Sequence, residues 1–224
     1  MTRRKRMLTT LRHGQADRVP CCPDISVMIP LKMTKKPFWE IYFDKDGSIL
    51  PLYNNENLYR NYVDACNYFG IAAWCWYMSP AIRNPDVEYK KEILKRNDER
   101  IIIRTHMITP EGTLTSDVLF QRSEPPVPIN KYIKDFKEQF NFLKYFYPPL
   151  KEIDFSPVIK ERNYVGESGV CAVSAMPPSL AHLDSIIDGG LGTIALAYYD
   201  YPDLISEYKR MHETWNIEYV NKVI

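Results

Sequence analysis

The sequence predicts an α/β protein built on parallel strands, and three features carry that expectation. Residues 56 to 69 place Leu58, Tyr62, Cys66 and Phe69 at helical spacing, and Gly70 closes that helix. A continuous apolar run from Ile71 to Met78 follows at once, as expected of a strand covered on both faces. The same order returns later: the apolar run Val170 to Met176 leads through Pro177 and Pro178 into a helix carrying Leu180, Leu183 and Ile187.

The remaining elements follow from local pattern. Thr2 is placed to cap a short helix whose Met7, Leu8 and Leu11 share a face, with Gly14 expected to stop it in the left-handed conformation. The basic run Arg3 to Arg6 reads as a solvated first turn, since no aromatic stacking partners accompany it. Val19 to Met28 reads as a buried strand interrupted by prolines, with Asp24 and Ser26 at its far end. Residues 86 to 130 change character. Charged and β-branched residues alternate through Val87 to Leu94, Arg100 to Ile108 and Thr113 to Phe120, which predicts a three-stranded antiparallel meander inserted between parallel units. Pro125, Pro126 and Pro128 are expected to end it. Phe136, Phe140, Leu143 and Phe146 then predict a helix over 133 to 146, and Ser179 is placed to cap the helix after the proline pair. Gly189, Gly190 and Gly192 read as a helix stop and turn, and Pro202 opens a long amphipathic helix through Leu204, Tyr208, Met211, Trp215 and Tyr219.

Composition narrows the function classes. With 45% hydrophobic and 25% charged residues, the 224-residue chain reads as globular rather than disordered. A formal charge of +1 supplies no global field for nucleic acid, so any acidic ligand must be held locally. No apolar stretch reaches the roughly 20 residues that cross a bilayer, and no secretory segment follows the basic amino terminus. Five cysteines, an odd and scattered set, suit a reducing cytoplasm. Cys75 and Cys171 read as small apolar packing residues, whereas Cys21 and Cys22 are strand neighbours that point to opposite faces and so make a poor metal pair.

Five segments, "MTRRKRMLTTLRHGQADRVP", "YFGIAAWCWY", "TPEGTL", "CAVSAMPPSLAHL" and "YDYPDLISEYKRMHETWNIEYVNKVI", together resemble the uroporphyrinogen decarboxylase superfamily over essentially the whole chain. The resemblance implies an eight-stranded (β/α) TIM barrel with a ligand pocket at the carboxyl ends of its strands. A complete barrel of this kind takes about 250 residues, so the expectation is a single partial barrel domain over 1 to 224, the first half of the fold, with 86 to 130 as an insertion. A half-barrel would leave strand edges and apolar helix faces for a second subunit or for self-association, and a further alternative is a non-catalytic fragment or subunit that acts only by pairing with another chain.

Two chemistries are implied by that resemblance. Decarboxylation of an octa-acid calls for arginines just after the first strand, but Asp24 to Pro30 contains no Arg or Lys and its one charge is acidic. Where the decarboxylases carry an aspartate after the second strand, this chain has Ser79, and the tyrosine they carry after the third falls on Leu183, beside His182. These departures point to the methyltransferase branch, which moves a methyl group between a corrinoid and an acceptor, often through a zinc-bound thiolate. Such a homologue implies zinc and corrinoid as cofactors, with no metal ligands expected in this chain and the meander available to a corrinoid protein. The candidate site is therefore Asp24, Tyr77, Ser79 and His182, with His182 as general acid or base, or else a capping histidine, and Tyr77 orienting a ligand through its hydroxyl. Arg83 is the nearest cation if the chain decarboxylates uroporphyrinogen after all.

Overall fold

The computed structural model describes residues 1–44, 47–52 and 54–223. Its helices are α1 (Arg3–Leu11), α2 (Met28–Thr34), α3 (Glu56–Phe69), α4 (Ser156–Val165), α5 (Ser179–Ile186), α6 (Gly190–Asp200) and α7 (Pro202–Val223). Its strands are β1 (Ala73–Cys75), β2 (Ala81–Ile82), β3 (Glu88–Arg96), β4 (Arg100–Thr109), β5 (Gly112–Gln121), β6 (Val127–Asn130), β7 (Ile153–Asp154) and β8 (Gly169–Cys171). The α/β class stands, but the sheets are small and no closed barrel forms among the described residues. No described helix is long and apolar enough to cross a membrane.

The chain divides into two compact units. The first comprises Met1–Ala81, Gln121–Pro125 and Asp154–Ser174. At its centre β1 and β8 pair in parallel, Ala73 opposite Gly169 and Cys75 opposite Cys171. This is the parallel arrangement that the two apolar runs predicted, though each contributes only three residues of strand. The backbones lie so close that a Cβ on Gly169 would stand 1.9 Å from the Ala73 carbonyl oxygen. One face of β1 buries Ala73 and Cys75 against Tyr59, Tyr62, Val63 and Cys66 of α3 and Val165 of α4. The other face is not covered as expected: Trp74 is 39% and Trp76 55% exposed.

Helix α3 keeps its predicted bounds, with Asn55 accepting from the Asn57 N–H at its start and Gly70 left-handed at its end. Thr2 caps α1 as expected. Its stop differs, because His13 takes the positive φ while Gly14 permits a close approach to Thr9. Arg3, Arg4 and Arg6 are not merely solvated: they reach Asn67, the Gly169 carbonyl and Asp17 respectively. The expected strand at 19–28 does not form. Pro20 and Pro23 have no N–H to give a ladder, and Asp24 accepts from the Ser26 N–H at 2.7 Å, which turns the chain. One bond survives beside the sheet, from the Ala72 N–H to the Cys21 carbonyl at 2.8 Å.

The second unit comprises Ile82–Phe120, Pro126–Ile153 and Ala175–Ile224, of which Ile224 lies outside the described residues. Its antiparallel sheet has the order β3-β4-β5-β6, four strands rather than three. Pro128 joins β6 because an edge strand can spare one N–H. Within 133–146 only Phe140–Phe146 is helical, as a 3-10 turn, since the Gln139 side chain takes the N–H groups of Lys134 and Asp135. Ser179 begins α5 but does not cap it with its side chain. The glycine cluster starts a helix instead of ending one: Gly189, with φ +77°, precedes α6. Met107, Leu143, Leu183, Ile187, Ile205 and Tyr208 form the core between the sheet, α5, α6 and α7.

Candidate functional site

The predicted site residues divide between the units. Asp24, Tyr77 and Ser79 belong to the first, Arg83 and His182 to the second.

In the first unit, the segment after β1 is held by side chains on its backbone. Glu161 of α4 accepts the N–H groups of Tyr77 at 3.0 Å and Met78 at 3.4 Å. Asn54 accepts the Ser79 N–H at 2.6 Å and donates its own N–H to the Tyr77 carbonyl at 3.2 Å. Tyr77 is half-buried, tilted on Tyr62 at 5.4 Å and stacked beside Trp76 at 6.1 Å. Burial, then the charges around it, Asp24 among them, raise its phenol, so it stays protonated and can donate a hydrogen bond. Asp24 is exposed and forms no ion pair among the described residues. Its neighbour Ile25 packs in the same core as Cys75 and Met78, which ties the Asp24 turn to this end of β1.

Glu161 is fully buried and forms no ion pair among the described residues. Burial pushes its carboxyl up to about 7, against which the two backbone N–H groups act only in part. Cys75 and Cys171 stay protonated for the same reason, Cys171 with its thiol raised to about 12. They pack as expected, and Cys21 and Cys22 are also free thiols. Among the described residues no three His, Cys, Asp or Glu side chains converge as a metal site requires.

In the second unit His182 lies inside a hydrogen-bonded group. Tyr208 donates to the Ser179 carbonyl at 3.0 Å, so its oxygen accepts from His182 Nδ1–H at 2.9 Å. Tyr147 then donates to His212 Nδ1 at 3.1 Å, its oxygen standing 3.2 Å from His182 Nδ1. That order satisfies both hydroxyls and leaves the proton of His212 on Nε2, which is buried without a hydrogen-bond partner among the described residues, the Pro177 carbonyl being close but outside bonding geometry. Desolvation, with His212 adding to it, pulls His182 down to about 4. His182 is therefore neutral at physiological pH, a poor acid and a weak base whose Nε2 can accept a hydrogen bond.

No known family model, curated protein or solved structure matches this chain.

Sequence pattern marks Tyr208 only as a packing residue of the last helix, gives His212 no chemistry, and does not single out Glu161 or Tyr147. Tyr208 and His212 stand four residues apart on α7, a spacing that puts them on one face, and this was the available signal. Glu161 sits within the polar run "KERN" and gives none. Arg83 is exposed and forms no ion pair among the described residues.

Proposed function

We propose that this chain is a uroporphyrinogen decarboxylase-superfamily member of the methyltransferase-like branch, working in the reducing cytoplasm and contributing the first strands of a (β/α) barrel. Its ligand binds at the end of β1, where Asp24, Tyr77 and Ser79 belong to one unit. The observation that carries this reading is the exposed Asp24 carboxylate, which forms no ion pair among the described residues, with no Arg or Lys from Asp24 to Pro30. Each carboxylate of an octa-acid brought within ~5 Å of it would meet a repulsion of about 3 kcal/mol at an effective dielectric of 20. A neutral or cationic one-carbon donor meets none.

Tyr77 donates through its protonated phenol, Ser79 Oγ donates or accepts, and Asp24 accepts. Glu161 and Asn54 fix the backbone that presents Tyr77 and Ser79. In this branch zinc supplies an acidified thiol, and a corrinoid protein, for which the exposed strand β3 is our proposed contact, carries the methyl group. Among the described residues no three His, Cys, Asp or Glu side chains converge to hold zinc. His182 cannot replace it: moving a proton from a thiol of pKa about 8.5 to a group near 4 is uphill by roughly 6 kcal/mol.

The test is incubation of the protein with methylcobalamin, zinc and a panel of thiols, followed by mass spectrometry of the thiols. Methylated thiol above the protein-free background is expected. Its absence, together with tight uroporphyrin binding that Asp24→Asn leaves unchanged, would overturn the reading. Arg83, a cation with no partner among the described residues, favours the decarboxylase alternative, for which coproporphyrinogen is the diagnostic product.

A further inference from the structure

Tyr147, His182, Tyr208 and His212 bring four donor atoms together in the second unit, at a place independent of the reading of Asp24. Tyr208 and His212 are fully buried on one face of α7, while Tyr147 and His182 are half-buried. His182 Nδ1 lies 2.9 Å from Tyr208 Oη and 3.2 Å from Tyr147 Oη, and Tyr147 Oη lies 3.1 Å from His212 Nδ1. Metal–ligand bonds of about 2.0–2.1 Å set neighbouring ligand atoms about 2.8–3.4 Å apart, from square-planar to tetrahedral angles. All three separations fall inside that range. The far side of one ring suits ligation too. A ligating imidazole commonly turns its other N–H to a carbonyl, and His212 Nε2, buried without a hydrogen-bond partner among the described residues, stands beside the Pro177 carbonyl. Hydrogen bonds within the cluster leave that N–H idle; a small turn of the ring towards a bound ion engages it.

The donor set selects the ion. Zinc sites draw on Cys, His, Asp and Glu, and no three of these converge among the described residues. Calcium and magnesium need a shell of oxygen ligands. Two imidazole nitrogens and two phenol oxygens instead suit a divalent ion of the later first row, with copper(II) at the top of the affinity order. Burial keeps both phenols protonated, Tyr147 raised to about 12 and Tyr208 raised as well, until an ion's own charge displaces their protons. We propose that Tyr147, His182, Tyr208 and His212 form a binding site for a divalent transition-metal ion, held by two neutral imidazoles and two phenolates. Four metal–ligand bonds replace four bonds to water, two phenol O–H bonds break, and two protons pass to solvent with no electron transferred. The phenolate charges cancel those of the ion, so the buried centre is neutral.

Copper(II) is the probe, in the full chain carrying Cys21→Ser and Cys22→Ser so that this thiol pair neither reduces nor binds it. Isothermal titration calorimetry at about pH 7.5 in two buffers of different ionisation enthalpy counts the protons displaced. One ion per chain, two protons released per ion and a phenolate-to-copper charge-transfer band in the visible are expected. Tyr147→Phe keeps the ring but removes one phenolate, so it should release one proton, weaken the band and lower the affinity at least about tenfold. His106→Ala, at a histidine outside the cluster that pairs with Glu92, should change none of these readouts. Magnesium should give no binding. No saturable copper binding, binding without proton release or the band, loss of binding in His106→Ala, or a Tyr147→Phe variant that matches its parent overturns the proposal. Far-UV circular dichroism checks folding; should Tyr147→Phe misfold, the proton count and the band in its parent decide.

Discussion

Glu161 allows the sharpest test of the energetics. Its carboxyl is fully buried, has no counter-ion among the described residues and sits at about 7 rather than its ordinary 4.5. The folded chain therefore holds the proton more tightly than the unfolded chain does. The stability this confers is complete below pH 4.5 and is lost as pH rises through 7. A difference of about 2.5 pH units at 1.36 kcal/mol each makes the loss about 3 kcal/mol by pH 8.

Urea unfolding of the wild type and Glu161→Gln at intervals from pH 5 to pH 8 measures it. Glutamine is neutral throughout, so its own stability can shift either way through the buried amide, but its pH dependence should fall by about 2.5 kcal/mol across this range. Subtracting the two curves removes the groups common to both proteins, including His182 and His212, whose contributions run the opposite way. Parallel curves for the two proteins would refute the burial argument. A second readout is local: above pH 7 the charged form tightens its grip on the Tyr77 and Met78 N–H groups, so their amide exchange should slow relative to the intrinsic rate.

Three further outcomes follow from packing and hydrogen bonding. Gly169→Ala places a methyl 1.9 Å from the Ala73 carbonyl oxygen, so the parallel pair must part; a loss above about 3 kcal/mol in urea, with a changed near-UV circular dichroism signal from Trp74 and Trp76, is expected. Tyr208→Phe removes the donor to the Ser179 carbonyl and the acceptor for His182 in a fully buried place, and should cost about 1–3 kcal/mol by the same measurement. Because burial depresses both histidines, their contribution is present above pH 6.5 and lost as pH falls through about 4; proton NMR of the imidazoles should show His182 neutral at pH 5.5.

What the sequence revealed depended on whether a signal was local. Helix α3 was legible because the apolar spacing and Gly70 lie within one segment. The two apolar runs correctly announced parallel strands, yet nothing in them said that Trp74 and Trp76 would face outward, because uniform hydrophobicity does not distinguish two-sided burial from one-sided burial. The strand expected at 19–28 failed for a reason visible in its own residues: two prolines and an Asp24 side chain that competes for the backbone outweigh β-branched Val19 and Ile25. Gly189 and Gly190 misled in the other direction, since a left-handed residue serves the start of one helix as readily as the end of another.

The polar core was the least legible part, and physically it had to be. Glu161 is followed by Arg162 and preceded by Lys160, both ordinary surface residues, and only the open N–H groups of Tyr77 and Met78, some eighty residues earlier in the chain, make its burial tolerable. Those N–H groups are open because the strand stops at Cys75, before its ladder can use them. The carboxylate thus substitutes for a missing strand neighbour, and it does so at the segment bearing Tyr77, Ser79 and Trp76. A side chain that costs about 3 kcal/mol to keep charged there is hard to explain by stability alone, since a neutral glutamine could meet one N–H at less expense. A carboxylate offers two acceptor oxygens where an amide offers one, so Glu161→Gln should leave either the Tyr77 or the Met78 N–H open, and hydrogen exchange at that amide should quicken in the variant.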